Sequence, residues 1–140
     1  MKKILIVDDE PDTRFFLNNR LTANQFDVLE AGDGAAGVAL ATRRRPDIIL
    51  LDLIMPGEDG ILTYHALRQH PDTKGIPVIF LTALSFSTSP MTKQSLQLLA
   101  KTKHGVEMDE NFWVMGKPYQ PQELMETIRQ ALGQVLTGGR

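Results

Sequence analysis

The run Ile48-Ile49-Leu50-Leu51 ends in an acid, Asp52, and resumes as Leu53-Ile54-Met55-Pro56. Consecutive apolar residues without polar alternation suit a strand buried on both faces, as in a parallel sheet. A carboxylate at the carboxyl end of such a strand is costly to bury unless something binds it. The pattern recurs with other polar endings. Ile4-Leu5-Ile6-Val7 runs into Asp8-Asp9, Ile76 to Leu81 runs into Thr82, and Phe112-Trp113-Val114-Met115 leads to Lys117-Pro118.

Helical patterns alternate with these runs, which is the signature of βα units around a parallel sheet. Strands are expected at Ile4–Val7, Asp27–Ala31, Asp47–Asp52, Ile76–Leu81 and Phe112–Met115. A first helix opens at Asp9 to Pro11 and carries Thr13, Phe16, Leu17 and Leu21 at helical spacing. A second covers about Gly34 to Arg44 with Ala35, Val38 and Ala39 facing inward, and a third runs from Ile61 to Gln69 after the turn Met55-Pro56-Gly57-Glu58-Asp59-Gly60. Met91 to Lys103 forms a fourth, stopped by His104-Gly105, with Leu96, Leu98 and Leu99 assigned to the core. Pro121 begins the last, with Leu124, Ile128 and Leu132 repeating every four residues. Ser85 to Pro90 reads as loop and Val106 to Asn111 as an acidic connection. The whole 83–111 stretch is long for a compact βα unit.

With 140 residues the chain is one domain, assigned to 1–136, followed by a flexible tail at 137–140. A net charge of −2 supplies no electrostatic footprint for nucleic acid, so direct nucleic-acid binding is not expected. Cysteine is absent, which excludes disulfides and thiolate metal sites. No stretch approaches the ~18 apolar residues of a membrane span, and the residues before Asp8 are too short for a signal-peptide core. A cytoplasmic protein without membrane contact is the expectation.

Ligands of open parallel sheets bind at the carboxyl ends of the strands, where the strand order reverses. Asp8, Asp9, Asp52, Thr82 and Lys117 all fall at such ends. Converging carboxylates repel one another unless a cation sits among them, and Mg²⁺ favours a few carboxylate oxygens together with water and phosphate oxygens. Phosphoryl transfer needs neutralised equatorial oxygens and an in-line nucleophile. Asp52 can attack, a metal and Lys117 can hold charge, and the Thr82 hydroxyl can bond a phosphoryl oxygen. Taken singly, each has a plain alternative: a helix cap at Asp8-Asp9, a turn residue at Asp52, β-propensity at Thr82. Their joint placement is what argues for a phosphoryl acceptor.

Val7-Asp8-Asp9-Glu10, Asp52 to Pro56 with Gly60, Leu81-Thr82-Ala83 and Lys117-Pro118 resemble the motifs of the response-regulator receiver domain, over about residues 2 to 135. The resemblance implies an α/β, doubly wound, five-stranded parallel sheet of order 2-1-3-4-5 flanked by five helices, of the flavodoxin-like or CheY-like type. It implies that Asp52 accepts a phosphoryl group from a sensor histidine kinase or phosphotransfer protein, and that the product is a conformation rather than a chemical. The implied metal is Mg²⁺, on Asp9 directly, Asp8 largely through water, Asp52, and the backbone carbonyl of Ile54. Thr82 would follow the phosphoryl group, Ala83 must stay small, and the Lys117–Pro118 bond would be cis. Implied partners are the kinase, an unidentified downstream protein or an output domain outside this chain, and a second copy through the face of the fourth helix, fifth strand and fifth helix.

Three departures from the family pattern stand out. The position three before the lysine, usually aromatic, is Val114, and alternation turns the adjacent Trp113 to the other face. Thr82 and Lys117 are 35 positions apart, an excess of about a dozen residues that reads as added loop or helix. Ile54 and Leu84, two after the phosphoacceptor and two after the threonine, are both apolar, which leaves a hydrolytic water unoriented and predicts a long-lived phosphorylated state.

Other readings compete. A haloacid-dehalogenase-type phosphatase also uses a strand-end aspartate, but needs an acid where Ile54 stands. A phosphorylation-independent interaction module is the stronger alternative. A nucleotide-binding Rossmann domain lacks its Gly-x-Gly-x-x-Gly. Arg43-Arg44-Arg45 complements a helix dipole, His65, His70 and His104 have no ligand-like spacing, and Phe15 is read as peripheral packing.

Overall fold

A computed structural model of the chain describes residues 1–83, 85, 86 and 89–133. Five strands, β1 (Lys3–Val7), β2 (Asp27–Ala31), β3 (Ile48–Asp52), β4 (Val78–Thr82) and β5 (Phe112–Gly116), form one sheet in the order β2-β1-β3-β4-β5. All four pairings are parallel. Val7 lies level with Leu51, Leu51 with Phe80, Asp52 with Leu81, and Thr82 with Gly116, so the polar strand endings meet along one edge. The order reverses between β1 and β3, where Asp8 and Asp52 emerge. β3 and β4 are buried along their whole length, as the unbroken apolar runs require.

Alternation along the strands makes two cores. Leu5, Val7, Ile49, Leu51, Val78, Phe80 and Phe112 face α2 (Gly34–Arg44), α3 (Gly60–Arg68) and α4 (Lys93–His104). Ile4, Ile6, Ile48, Leu50, Ile79, Leu81 and Met115 face Leu17 and Leu21 of α1 (Pro11–Ala23) and Leu124, Met125 and Ile128 of α5 (Pro121–Ala131). Val114 and Trp113 pack on opposite sides of the sheet, as alternation predicts. Among the described residues, no helix is long and apolar enough to cross a membrane.

Five expectations require correction. α2 turns Gly34, Gly37 and Ala41 inward, while Ala35 and Ala39 are exposed and Val38 is half-buried. The reason is close approach: a Cβ on Gly37 would lie 2.8 Å from Val7 Cγ2. Phe16 is exposed, its ring 5.5 Å from the Arg20 guanidinium, and Phe15 is 69% exposed rather than peripherally packed. Of the leucines assigned to the core, Leu96 is buried and Leu99 packs half-buried against it, but Leu98 is 62% exposed; Ala100 completes the buried face of α4. Ser85–Phe86 pairs antiparallel with Ser89–Pro90, a short hairpin where a plain loop is expected. Leu84 and the tail from residue 134 lie outside the described residues.

The excess length between β4 and β5 reverses a helix. In a βα unit the helix returns the chain to the start of the next strand, so it runs antiparallel to the strands. α3 does so, from Asp59 beside the edge that carries Asp52 to Arg68, whose Nη1 donates to the Ile76 carbonyl at the far end of the sheet. α4 runs the other way. At its start Lys93 Nζ bonds the Glu110 carbonyl and sits 4.7 Å from the ring of Phe112, which pairs with Val78 at the far end. At its finish His104 Nε2 lies 2.8 Å from Asp59 Oδ2 at the near end. The chain has thus already reached the far end where α4 starts, and residues 105–111 carry it there a second time. Gly105, at φ 66°, makes the turn out of the helix. This second crossing is pinned from α3: Tyr64 Oη bonds Asp109, Arg68 Nε lies 2.7 Å from Asp109 Oδ2, and Arg68 Nη2 donates to the Asn111 carbonyl. Val106 and Met108 fill the core beside it.

Candidate functional site

Asp8, Asp9 and Asp52 follow or end β1 and β3 at the point of strand-order reversal. One carboxylate oxygen from each lies within 4.8 Å of the others. Asp8 and Asp52 are buried, Asp9 half-buried. Local bonds hold them. Asp8 Oδ1 accepts from the Glu10 N–H at 2.9 Å, its carbonyl accepts from Arg14 Nη1, and Asp52 Oδ1 accepts from the Ile54 N–H at 3.2 Å.

Lys117 enters from the end of β5. Its backbone N–H donates to the Thr82 carbonyl at 2.8 Å, and the Lys117–Pro118 bond is cis. Its Nζ sits between two acids, 3.6 Å from Asp8 Oδ2 and 3.7 Å from Asp52 Oδ2. Thr82 is fully buried at the end of β4. Glu10, Asp52, Ile54, Ala83 and Lys117 line an open cleft of about 480 Å³ above the acids. All of the strand-end residues singled out in the sequence thus meet at one edge.

The electrostatics are unbalanced. Burial pushes the Asp52 carboxyl above its ordinary value; Lys117 and the Ile54 N–H oppose this, while Asp8 and Asp9 reinforce it. One ammonium among three carboxylates leaves negative charge that a divalent cation would offset, and hard carboxylate oxygens at this spacing are the donors Mg²⁺ takes. The residues present fit the metal.

Two residues beyond the strand-end acids, Thr82 and Lys117 also shape this edge. After β3 the chain makes a tight hairpin in which Ile54 pairs with Asp59 and Met55 with Glu58. Glu58 Oε1 accepts from the Gly34 N–H at 2.7 Å, at the start of α2. Asp59 caps α3 through the Ile61 N–H at 2.9 Å and meets Lys103 Nζ and His104 Nε2 through its other oxygen. The turn signal Met55 to Gly60 announced the bend, but nothing in it announced partners more than twenty residues away in sequence.

The response regulator receiver domain family matches residues 4–129. The chain is 34% identical over 134 residues to the probable transcriptional regulator ycf27 of Porphyridium aerugineum, covering 96% of this chain and 49% of that protein. It is 42% identical over 82 residues to protein PilH of Pseudomonas aeruginosa, covering 59% of this chain and 68% of that one. This chain spans about half the length of the curated relatives that match nearly all of it. Among solved structures, the chemotaxis protein CheY4 of Vibrio cholerae superposes with a TM-score of 0.73 at 29% identity, over 94% of this chain and 98% of that one. The receiver domain of a Pseudomonas aeruginosa sensor histidine kinase, with magnesium coordinated in its active-site cleft, gives 0.74 at 24% identity over 94% and 98%.

Proposed function

The chain belongs to the response regulator receiver family, and from that premise we propose that it is switched by phosphorylation of Asp52. A carboxylate oxygen of Asp52 attacks phosphorus of a phosphohistidine on a sensor kinase or phosphotransfer protein. The P–N bond breaks, and the leaving imidazole recovers a proton from solvent. Lys117, now shared between Asp8 and Asp52, moves its charge toward a phosphoryl oxygen. The Thr82 hydroxyl donates to another. Asp8, Asp9, Asp52 and the Ile54 backbone carbonyl would hold Mg²⁺, which supplies charge neutralisation for the transferring group.

The observation that carries this reading is the placement of Asp52 within 4.8 Å of two further carboxylates and beside the Lys117 ammonium. The half-exposed Ile54 side chain, two residues on, offers no acid to a leaving group, which disfavours the phosphatase reading. A cytoplasmic receiver of residues 1–136, acting on a partner protein or an output domain, completes the proposal. The reversed α4 favours one second reading, a phosphorylation-independent interaction module, because that helix belongs to the face through which the family signals.

Intact mass measurement after incubation with Mg²⁺ and acetyl phosphate tests the assignment. One phosphoryl adduct is expected in the wild type, and none in Asp52→Asn or without Mg²⁺. No adduct with acetyl phosphate and none with a phosphohistidine donor, together with no response to beryllofluoride, would leave the interaction module.

A further inference from the structure

We propose that Lys103 and His104, at the end of the reversed α4, position the phosphoacceptor loop through Asp59, so that acceptance at Asp52 depends on where α4 sits. The inference rests on the reading of Asp52 given above.

The connection is short and continuous. Asp59 Oδ2 is 2.8 Å from His104 Nε2 and 3.1 Å from Lys103 Nζ. Asp59 is the hairpin partner of Ile54, whose N–H donates to Asp52 Oδ1 and whose carbonyl is the proposed backbone metal ligand. Gly60, next in the chain, donates its N–H to the Leu53 carbonyl at 2.7 Å. A Cβ at Gly60 would stand 2.7 Å from the Asp52 carbonyl oxygen, so loop and strand end are packed without slack. A shift of Asp59 is therefore passed on to Ile54 and Asp52 rather than absorbed.

The contact is built to hold. The side chains of Asp59 and His104 are only 15% and 18% exposed, so the hydrogen bond between them is shielded from solvent, while Lys103 reaches the same carboxylate from a more exposed position. Burial opposes the Asp59 charge, yet the bonds from His104, the Ile61 N–H and Lys103 hold its carboxyl below the ordinary value. Only the reversed direction of α4 brings its cationic last turn here; a helix running the usual way would end at the far side of the sheet. A cation at a helix C-terminus also complements its dipole, so Lys103 sits there without strain.

The test follows adduct formation with acetyl phosphate by intact mass across a Mg²⁺ titration, using the full chain. Lys103→Gln with His104→Gln is expected to raise the Mg²⁺ needed for half-maximal rate by about fivefold or more. Lys103→Arg with His104→Arg is expected to restore it. Asp59→Asn, which keeps an N-cap side chain on α3 but loses the charge, should match the Gln pair, and combining the two should add nothing further. Far-UV circular dichroism confirms folding, and Asp59→Asn carries the test if the Gln pair does not fold. A folded variant with wild-type Mg²⁺ dependence overturns the inference, as does a deficit that the Arg pair fails to repair. Absence of an adduct in the wild type instead overturns the assignment of Asp52.

Discussion

Lys117 Nζ lies 3.7 Å from Asp52 Oδ2 while standing 3.6 Å from Asp8, so one ammonium serves two buried carboxylates. Its removal leaves the acids uncompensated and deprives the incoming phosphoryl group of a fixed cation. Lys117→Ala is expected to slow adduct formation on Asp52 by about 10²-fold or more. Mg²⁺ binding, followed by calorimetry, should persist, because the carboxylate ligands remain.

Gly60 is set by its surroundings rather than by its backbone angles. An added Cβ would meet the Asp52 carbonyl oxygen at 2.7 Å, Leu53 Cα at 2.9 Å and the Leu53 carbonyl oxygen at 3.0 Å, all backbone atoms. Gly60→Ala should destabilise the fold by about 1–3 kcal/mol in denaturant melts. It should also slow phosphorylation, since the displaced atoms carry Asp52.

Asp109 fastens the crossing after α4 to α3. Burial alone would raise its carboxyl, but the bonds from Tyr64, the Asn111 N–H and Arg68 bring it below the ordinary value of 3.8. A depressed folded-state pKa means that the unfolded chain binds more protons, so this contribution is present above pH 3.8 and is lost as pH falls through the lowered value. Asp109→Asn should therefore lower the melting temperature at neutral pH, with the gap to wild type closing in acid. A gap that stays constant down to the acid transition would contradict this account.

Ile54 borders the cleft with an apolar side chain and has nothing with which to orient a water. The phosphorylated protein is expected to outlast minutes at neutral pH without a phosphatase. Ile54→Asn should shorten that lifetime by supplying a hydrogen-bonding group. Loss of the phosphoryl group from the wild type within minutes, measured by mass against time, would refute the expectation.

Much of this was legible in the chain. Unbroken apolar runs fixed where buried parallel strands lie, because only strands covered on both faces tolerate such runs, and their polar endings marked one edge of the sheet. Asp8, Asp9, Asp52, Thr82 and Lys117 were identifiable for that reason. Helix faces were less legible where small residues carry them: α2 buries Gly37 rather than Ala39, since close approach to Val7 outweighs side-chain hydrophobicity. Phe16 and Leu98 follow helical spacing yet face outward, because periodicity does not say which stripe has a neighbour.

The sequence by itself determined the strand runs, the edge where their polar endings gather and the unusual length between Thr82 and Lys117. Only the tertiary structure decided what that length does. A helix pattern read along the chain carries no direction relative to a sheet. Direction came from long-range bonds, Lys93 with Glu110 at one end of α4 and His104 with Asp59 at the other, and these exist only once the core has formed.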